Sequence, residues 1–293
     1  KDGPSIIEFA AKKDIHTVVV SSYEDDETIA ECIKLGAKDY YVKGDELNVI
    51  KDIILRYQKN SKNLTNNEFT ETSHPLFKKN LEFLLDNAKS DYPVLLNGPT
   101  GTGKTFFAKK IHQKSAVPGK FVAMNCSSIQ KDLFESEMFG HVKGAFSGAI
   151  ENYEGKVQEA NNGTLYLDEI DSMPLEQQAK LLKVIEEKEF YPVGSNKIKK
   201  IHFRLIASAQ KDLRQMIHNG EFREDLYYRI SFIETRIMPL SERAQDIAPL
   251  LKIFLKGPRR YYMTEEFKLE ISRYNWPGNI RELQIFAANI KLG

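Results

Sequence analysis

A glycine-rich loop that ends in Lys-Thr limits the possible folds of this chain more than any other segment. The loop fits the pattern G-x-x-x-x-G-K-[ST] with Gly98, Pro99, Thr100, Gly101, Thr102, Gly103, Lys104 and Thr105. An apolar run from Val94 to Asn97 precedes it and a helical pattern follows, which is the strand–loop–helix context of a phosphate-binding loop (P-loop). Such a loop directs backbone N–H groups and a helix N-terminus at phosphate oxygens. The sequence therefore predicts a nucleotide site; the alternative is an ordinary glycine-rich turn.

Two side chains of the P-loop and two later acids carry specific chemistry. Lys104 supplies a mobile positive charge to the β- and γ-phosphates, and the Thr105 hydroxyl can ligate Mg²⁺. A later apolar strand, Thr164–Leu167, ends in Asp168 and Glu169. In P-loop proteins the first such acid holds Mg²⁺ through water, and the second can deprotonate the attacking water. We therefore predict ATP and Mg²⁺ as cofactors; the alternative for the acids is a solvated turn.

Strand-length apolar runs alternate with helical patterns along most of the chain. This alternation predicts an α/β fold with a mostly parallel sheet that is covered on both faces. Besides the two strands named above, strands are predicted at Phe121–Met124, Phe203–Ser208 and Phe232–Arg236. We divide the 293 residues into a small α/β segment (1–60), a polar linker (61–74), a nucleotide-binding α/β domain (75–240) and a small helical domain (241–293).

Composition excludes several classes of function. The 42 basic and 41 acidic residues leave a formal net charge of +1, so binding of nucleic acid through bulk charge is not expected. No apolar run approaches the ~18 residues of a membrane span. Cys32 and Cys126 form neither a disulfide framework nor a metal motif, which favours a reducing, cytoplasmic location. No signal peptide begins at Lys1, and we expect the chain to start in mid-domain.

The most specific segment lies between the P-loop and the acid pair. It runs from Phe134 to His141 and continues with Gly144, Ala145, Phe146, Ser147, Gly148 and Ala149. From about Pro75 to Ile290 the chain resembles the AAA+ ATPase domain of the sigma-54-dependent, NtrC-like transcriptional activators. Their signature is G-A-F-T-G-A, and Ser147 replaces the threonine here. The resemblance implies that residues 144–149 project from a ring and contact sigma-54; the alternative is a surface turn with Phe146 in the core.

The resemblance implies roles for four further residues. Asn125 matches a switch asparagine that holds the catalytic glutamate away from water; the alternative is an ordinary turn residue. Arg223 and Arg229 match two arginine fingers, which neutralise charge on the phosphoryl group in a neighbouring subunit; the alternative is two solvated arginines. Arg281 matches a sensor arginine that reaches the nucleotide from the helical domain, which the family calls the lid.

The position of the first sensor departs from the family pattern, and the start of the predicted lid helix carries a capping pattern. Where the family usually has a polar pair as its first sensor, this chain has Ala209 and Gln210. Ala209 cannot form a side-chain hydrogen bond, so Gln210 is the cofactor-binding candidate. At the start of the predicted lid helix, Asn279 is expected to act as the N-cap and Glu282 to complete a capping box.

The amino-terminal segment is similar to the second half of a response-regulator receiver domain, a flavodoxin-like α/β fold. Ser21 matches the switch hydroxyl, Tyr40 the aromatic switch, and Lys43 the lysine that pairs with the phosphorylated aspartate. That aspartate would lie before Lys1, so residues 1–60 are expected to be a partial receiver. The alternative is a small α/β fragment of unknown role. The resemblance implies a cognate sensor kinase.

Together these motifs predict an ATP-hydrolysing, sigma-54-dependent activator that assembles into a dimer and a hexameric ring. It would remodel sigma-54 RNA polymerase through the loop 144–149. DNA would be bound only through a domain not present in this chain, and no membrane partner is expected. Two alternatives stay open. One is a nucleotide-binding switch or repressor with weak or no hydrolysis, suggested by Ala209. The other is an AAA+ remodeller of a different protein.

Overall fold

A computed structural model describes residues 7–8, 18–21, 25–37, 39–42, 72–256 and 263–292. The chain divides into two compact units, Lys1–Thr70 and Glu71–Gly293, and each is described by itself. Lys43 and most of the predicted linker lie outside the described residues.

The described part of the first unit is a parallel strand–helix–strand unit. It consists of β1 (Val18–Ser21), α1 (Asp26–Lys34) and β2 (Asp39–Val42). The two strands pair in parallel, with Ser21 opposite Val42. Asp25 begins the helix because its carboxylate accepts a 2.8 Å hydrogen bond from the backbone N–H of Thr28. This β–α–β order agrees with the predicted α/β segment.

The second unit alternates strands and helices and then continues as helices only. Its strands are β3 (Val94–Asn97), β4 (Phe121–Asn125), β5 (Thr164–Asp168), β6 (Glu189–Phe190), β7 (Lys199–Lys200), β8 (Arg204–Ala209) and β9 (Ile233–Arg236). Its helices are α2 (Pro75–Asp86), α3 (Lys104–Ser115), α4 (Lys131–Phe139), α5 (Gly155–Glu159), α6 (Leu175–Glu187), α7 (Leu213–His218), α8 (Glu224–Ile230), α9 (Ile247–Phe254), α10 (Glu265–Arg273) and α11 (Asn279–Leu292). The main predicted strands agree with these bounds to within one residue at either end.

A five-stranded parallel sheet with the order β4-β5-β8-β3-β9 forms the centre of this unit. Successive residues of a strand point to opposite faces. Leu95 accordingly belongs to the apolar cluster that contains α4, α6 and α8, and Leu96 to the cluster that contains α2 and α3. Both faces are covered, which explains why the strands read as continuous apolar runs.

The strand order brings four chain segments to one edge of the sheet. Because all five strands are parallel, their carboxyl ends lie along the same edge. The P-loop follows β3, and Gln210 follows the adjacent strand β8. Asp168 ends β5, and Asn125 lies opposite it at the end of β4. Segments that are far apart in sequence therefore meet at this carboxyl edge.

The helices after β9 form the lid, and a buried ion pair anchors the start of the unit to it. Nη1 of Arg243 lies 3.6 Å from Oδ2 of Asp246, with both side chains buried. Asp246 also accepts hydrogen bonds from the Thr72 hydroxyl (2.5 Å) and the Ser73 backbone N–H (2.7 Å). Residues 72 and 73 are thereby fixed to the lid.

No helix within the described ranges is both long enough and apolar enough to cross a membrane.

Candidate functional site

The P-loop follows a path that only glycine allows at two positions. Gly98 has φ +153° and Gly101 has φ +74°. A Cβ atom at Gly98 would lie 2.5 Å from the carbonyl oxygen of Ile237, and one at Gly101 would lie 2.2 Å from that of Gly278. The loop thus wedges between the strand β9 and the lid. Its close backbone packing is what the predicted phosphate cradle needs.

The side chain of Lys104 is buried inside the P-loop. Its Nζ donates hydrogen bonds to the carbonyl oxygens of Gly98 (2.7 Å) and Pro99 (3.0 Å). Burial lowers the pKa of Lys104, and the carboxylates of Asp168 and Asp171 oppose that shift. A desolvated ammonium held by two carbonyl oxygens is ready to exchange them for phosphate oxygens, which carry full charge.

Asp168 accepts hydrogen bonds from three hydroxyl groups, which lie on two strands and one helix. Its Oδ1 accepts a hydrogen bond from the Tyr166 hydroxyl (2.9 Å) and another from the Ser208 hydroxyl. Its Oδ2 accepts a 3.3 Å hydrogen bond from the Thr105 hydroxyl. Burial and the adjacent Asp168 carboxylate raise the pKa of Tyr166, so that phenol stays a donor.

The pair Thr105 and Asp168 fits Mg²⁺. This ion keeps several waters and is bound by one or two carboxylates together with substrate phosphates, so a single hydroxyl and a single carboxylate are the expected protein donors. The described residues contain no cluster of three or more His, Cys, Asp or Glu side chains arranged around a metal position. The donor set therefore suits a metal that arrives with a nucleotide.

Glu169 adopts a strained backbone conformation at the carboxyl edge. Its φ of +56° lies in the left-handed region. This conformation costs a non-glycine residue ~1–3 kcal/mol, and residues that adopt it cluster at functional sites. Its backbone N–H donates a 3.2 Å hydrogen bond to the Ser208 hydroxyl. Its Oε1 accepts a 2.6 Å hydrogen bond from Nε2 of Gln210. Gln210 therefore contacts the predicted base.

Asn125 lies beside this site but contacts other residues. Its Oδ1 accepts hydrogen bonds from the backbone N–H groups of Ser127 (2.8 Å) and Ser128 (3.2 Å) and from the Ser127 hydroxyl (2.8 Å). These bonds close the turn after β4. The predicted switch role stays a prediction, and in this structure the amide that contacts Glu169 belongs to Gln210.

The lid contacts the P-loop directly, and one expectation about it is corrected. Nδ2 of Asn279 donates to the carbonyl oxygen of Thr100 (3.0 Å), and its Oδ1 accepts from the backbone N–H of Leu240 (2.8 Å). Asn279 is therefore not the N-cap of α11; its side chain joins the lid to the P-loop. Glu282 does accept a 2.8 Å hydrogen bond from the Gly278 backbone N–H. A Cβ at Gly101 would lie 3.4 Å from the Cβ of Arg281, so the first side-chain atom of Arg281 lies beside the P-loop.

The two predicted arginine fingers lie near opposite ends of α8. Arg223 precedes the helix and binds Asp225 through Nε (3.0 Å) and Nη2 (2.6 Å). Arg229 lies near the other end of α8, exposed, and lines a cavity of about 280 Å³ with Lys188 and Phe232. Phe232 directly precedes β9, so this cavity lies at the amino edge of the sheet. Arg229 and the P-loop are on opposite edges.

The segment 140–154 forms a compact loop between α4 and α5. His141 pairs with Tyr153 and with Val193 in isolated β-bridges that fix its base. Near the tip, the backbone N–H of Gly144 donates a 2.9 Å hydrogen bond to the carbonyl oxygen of Ala149. Phe146 is 40% exposed, and its ring meets that of His141 edge-on at 5.0 Å.

The remaining residues of the loop divide by exposure. Ser147 and Gly148 are exposed, Ala145 is half-buried and Ala149 is buried. The exposure of Phe146 disagrees with the alternative interpretation, in which its ring is part of the core. The predicted contact of this loop with sigma-54 stays a prediction.

The predicted receiver residues are described only in part. Ser21 ends β1, and Tyr40 lies in β2 opposite Val19. Lys43 is outside the described residues. Their switch roles stay predictions.

Three residues that contact this site were not assigned from the sequence. Ser208 donates a hydrogen bond to the Asp168 carboxylate and accepts one from the Glu169 backbone N–H, and Tyr166 donates to Asp168. Asp171 accepts hydrogen bonds from the backbone N–H groups of Gln210 (3.2 Å) and Lys211 (3.4 Å). For Tyr166 and Ser208, the sequence offered one signal: each places a hydroxyl group inside an otherwise apolar strand. A buried hydroxyl needs a hydrogen-bond partner, so each could have been expected to contact another polar group.

The P-loop, the acids at the end of β5 and the attached helical lid define an AAA+ P-loop ATPase domain. The family described as the sigma-54 interaction domain matches residues 71–236. This match covers more than half of the chain, so the chain belongs to that family, which comprises NtrC-like sigma-54-dependent transcriptional activators. The predicted family and fold class are confirmed.

Individual relatives agree with this assignment. Regulatory protein AtoC of Escherichia coli (strain K12) is 37% identical over 286 residues, which cover 91% of this chain and 62% of AtoC. Response regulator protein FleR of Pseudomonas aeruginosa is 37% identical over 273 residues, which cover 91% of this chain and 58% of FleR. The chain thus spans less than two thirds of the length of either curated relative.

A solved structure is similar in fold. The crystal structure of NtrX from Brucella abortus in complex with ADP superposes with a TM-score of 0.71 at 27% sequence identity. The match covers 100% of this chain and 67% of NtrX.

Proposed function

We propose that this chain is a cytoplasmic ATPase that hydrolyses ATP between adjacent copies and thereby acts on sigma-54 RNA polymerase. One observation carries the proposal: four side chains with complementary roles converge at the carboxyl edge. Lys104 is enclosed by the P-loop, Thr105 contacts Asp168, and Glu169 follows Asp168 directly. This is the set needed to hold phosphates, a divalent ion and an attacking water.

Glu169 is the proposed general base. Its carboxylate takes a proton from the attacking water while the water oxygen bonds to the γ-phosphorus and the bond from that phosphorus to the bridging oxygen breaks. The products are ADP and inorganic phosphate. Thr105 and Asp168 would hold Mg²⁺, which supplies positive charge to the phosphate oxygens. Lys104 neutralises the β- and γ-phosphates, and Arg281 approaches from the lid.

Arg223 and Arg229 are proposed to complete the site of a neighbouring copy. Arg229 and the P-loop lie at opposite edges of the sheet, so Arg229 cannot serve the nucleotide of its own chain. A head-to-tail contact would bring Arg229 of one copy to the carboxyl edge of the next. Repetition of such a contact gives a ring when its rotation closes. We propose a dimer that assembles into a hexamer.

The loop 144–149 is the proposed contact with sigma-54. Phe146 presents an exposed aromatic ring, and aromatic anchors dominate the energetics of protein interfaces. We further propose that Ser21, Tyr40 and Lys43 belong to a partial receiver that responds to a sensor kinase.

The proposed activity is tested by ATP turnover per subunit against protein concentration, with Arg223→Ala alongside. We expect the rate per subunit to rise with concentration and to collapse in the variant. A concentration-independent rate would contradict catalysis between copies. Nucleotide binding without turnover at any concentration would contradict the hydrolytic function as a whole.

One contact favours a second candidate, a nucleotide-binding switch with weak hydrolysis. Gln210 already donates a hydrogen bond to the carboxylate that would act as base. If this bond persists with nucleotide bound, it occupies a carboxylate oxygen of Glu169 that the attacking water would need, and hydrolysis is slow. The effect of Gln210 on turnover distinguishes the two candidates.

A further inference from the structure

A chain of hydrogen bonds connects the P-loop strand with α8, the helix that has the two predicted arginine fingers near its ends. Asn97 ends β3 and directly precedes Gly98. Its Nδ2 donates a 2.5 Å hydrogen bond to Oε1 of Glu234 on the edge strand β9. The other carboxylate oxygen, Oε2, accepts a 2.9 Å hydrogen bond from the hydroxyl of Tyr227 on α8. One carboxylate thus joins β3 to α8.

The hydroxyl of Tyr227 has a second partner. It accepts a 2.9 Å hydrogen bond from Nε of Arg214, whose guanidinium lies 5.7 Å from the centre of the Tyr227 ring. Nη2 of Arg214 also lies 3.8 Å from Oε2 of Glu234. The ring of Tyr227 is buried. Burial, together with Glu234, raises the pKa of Tyr227, although Arg214 opposes the shift, so the phenol remains a donor at neutral pH.

Tyr227 lies between the two predicted arginine fingers, so its hydrogen bonds affect the part of the chain that carries both. Tyr227 lies four residues after Arg223, and its backbone N–H donates a 3.1 Å hydrogen bond to the carbonyl oxygen of Arg223. It lies two residues before Arg229. The bond to Glu234 therefore fixes α8 against β9 between the two arginines.

The same bonds line a groove beside the P-loop. The groove has a volume of about 650 Å³, and its walls include Asn97, Gly98, Tyr227 and Glu234. Hydrogen bonds to an ionised carboxylate are stronger than neutral ones and gain further in a partly desolvated setting. A shift of Gly98 would therefore move Asn97, and the hydrogen bonds of Asn97 and Glu234 either resist that movement or transmit it to Tyr227 on α8.

We propose that Asn97, Glu234 and Tyr227 form a positioning relay that sets the arginine fingers of one copy according to its own P-loop. The inference rests on the proposed function, because the fingers act on the next copy. Tyr227 and Glu234 act here as positioning residues. Loss of the relay leaves the nucleotide site of a copy intact and weakens the arginine that this copy offers to its neighbour.

Tyr227→Phe tests the relay because it keeps the buried ring and removes only the hydroxyl. We expect turnover per subunit to fall about tenfold, the equivalent of one charge-assisted hydrogen bond, with the ADP dissociation constant within about twofold of the unaltered protein. Glu234→Gln is the second variant, with the same expectation. The matched control is Glu242→Gln, which breaks the exposed pair with Arg236 near the same groove.

A mixing experiment separates finger positioning from a purely structural role. Tyr227→Phe subunits have intact catalytic sites, and Glu169→Gln subunits have unaltered fingers. In a random equal mixture, half of the intact sites face an unaltered finger, so turnover per Tyr227→Phe subunit should rise about fivefold. The same mixing with Glu242→Gln should give no such rise.

The outcomes distinguish the relay from the proposed function. If Tyr227→Phe matches the unaltered protein, or if its loss is not restored by mixing, the relay is overturned while ATP hydrolysis between copies stands. If the unaltered protein shows no turnover at any concentration, the proposed function fails and the relay fails with it. Restoration by mixing supports both.

Discussion

The side-chain amide of Gln210 donates a 2.6 Å hydrogen bond to the carboxylate of Glu169. Gln210 stands directly after β8, and Glu169 directly after β5, which is paired with it. We predict that Gln210→Ala lowers turnover about tenfold, because the bond orients the base and one such bond contributes ~1–2 kcal/mol. Phosphate release at saturating ATP measures the change.

The sign of this effect separates the two candidate functions. Faster turnover in Gln210→Ala would mean that the amide restrains the base, as the switch candidate requires. Lys211 is the exposed neighbour of Gln210, and Lys211→Ala serves as the control. Its turnover should stay within about twofold of that of the unaltered protein.

Ser208 is predicted to set the response to Mg²⁺. Its buried hydroxyl donates to Asp168 and accepts from the Glu169 backbone N–H, so Ser208→Ala leaves both groups short of a partner. We expect the Mg²⁺ concentration for half-maximal turnover to rise about tenfold. Titration of ATPase activity with Mg²⁺ measures it. Tyr166→Phe removes only one bond to Asp168 and should have a smaller effect; an equal Mg²⁺ dependence in all three proteins would contradict the assignment.

Phe146 is predicted to carry binding of sigma-54 without contributing to hydrolysis. Phe146→Ala should weaken capture of purified sigma-54 by at least about tenfold, the range of an aromatic anchor, and leave ATP turnover within about twofold. A pull-down with nucleotide present, together with a turnover assay, checks both. Ile150→Ala is the control, because Ile150 is 76% exposed just beyond the loop. Equal loss of capture in both variants would show a general surface effect.

Asn279 is predicted to couple the lid to nucleotide binding. Asn279→Ala removes the acceptor of the Leu240 N–H and the donor to the Thr100 carbonyl, both at the junction of lid and P-loop. It also places alanine at φ +53°. We expect a loss of ~1–3 kcal/mol in the free energy of unfolding and weaker binding of ADP. Denaturation and calorimetric titration measure these; Ser272→Ala, also in the lid, removes only a hydrogen bond to the Leu269 carbonyl and should change neither.

The buried pair of Arg243 and Asp246 is predicted to be costly to break. Asp246→Ala leaves a buried guanidinium without its carboxylate, and such a loss typically destabilises by ~3–5 kcal/mol. Thr72 and Ser73 lose their acceptor in the same variant. Glu242→Gln breaks an exposed pair instead and should cost less than ~1 kcal/mol. Denaturant titration of both variants checks the difference, and similar values would contradict the role of burial.

Features that depend on local sequence were predictable. The P-loop, β5 with its two acids and the helical end of the unit each follow from residue types at fixed spacing. The exposure of Phe146 follows from the glycines on either side of it, Gly144 and Gly148, whose added Cβ atoms would meet nothing within 4 Å.

Contacts between distant segments were not predictable from one sequence. Ser208 reaches Asp168 only because β8 lies next to β5, and the strand order is not written in any single strand. Asn279 has the residue type and position of an N-cap, but the approach of the P-loop gives its side chain stronger partners. Glu234 reads as one more polar residue of an edge strand until Asn97, 137 positions earlier, is placed beside it.

The separation of Arg229 from the P-loop gives each copy a direction. Under the proposed function, every copy offers an arginine on one side and needs one on the other. An open row of copies then ends with one site that lacks a donor and one donor that lacks a site, whereas a closed row leaves neither. Closure, more than the number of copies, decides whether all sites work. One altered copy would also silence a site that it does not itself contain.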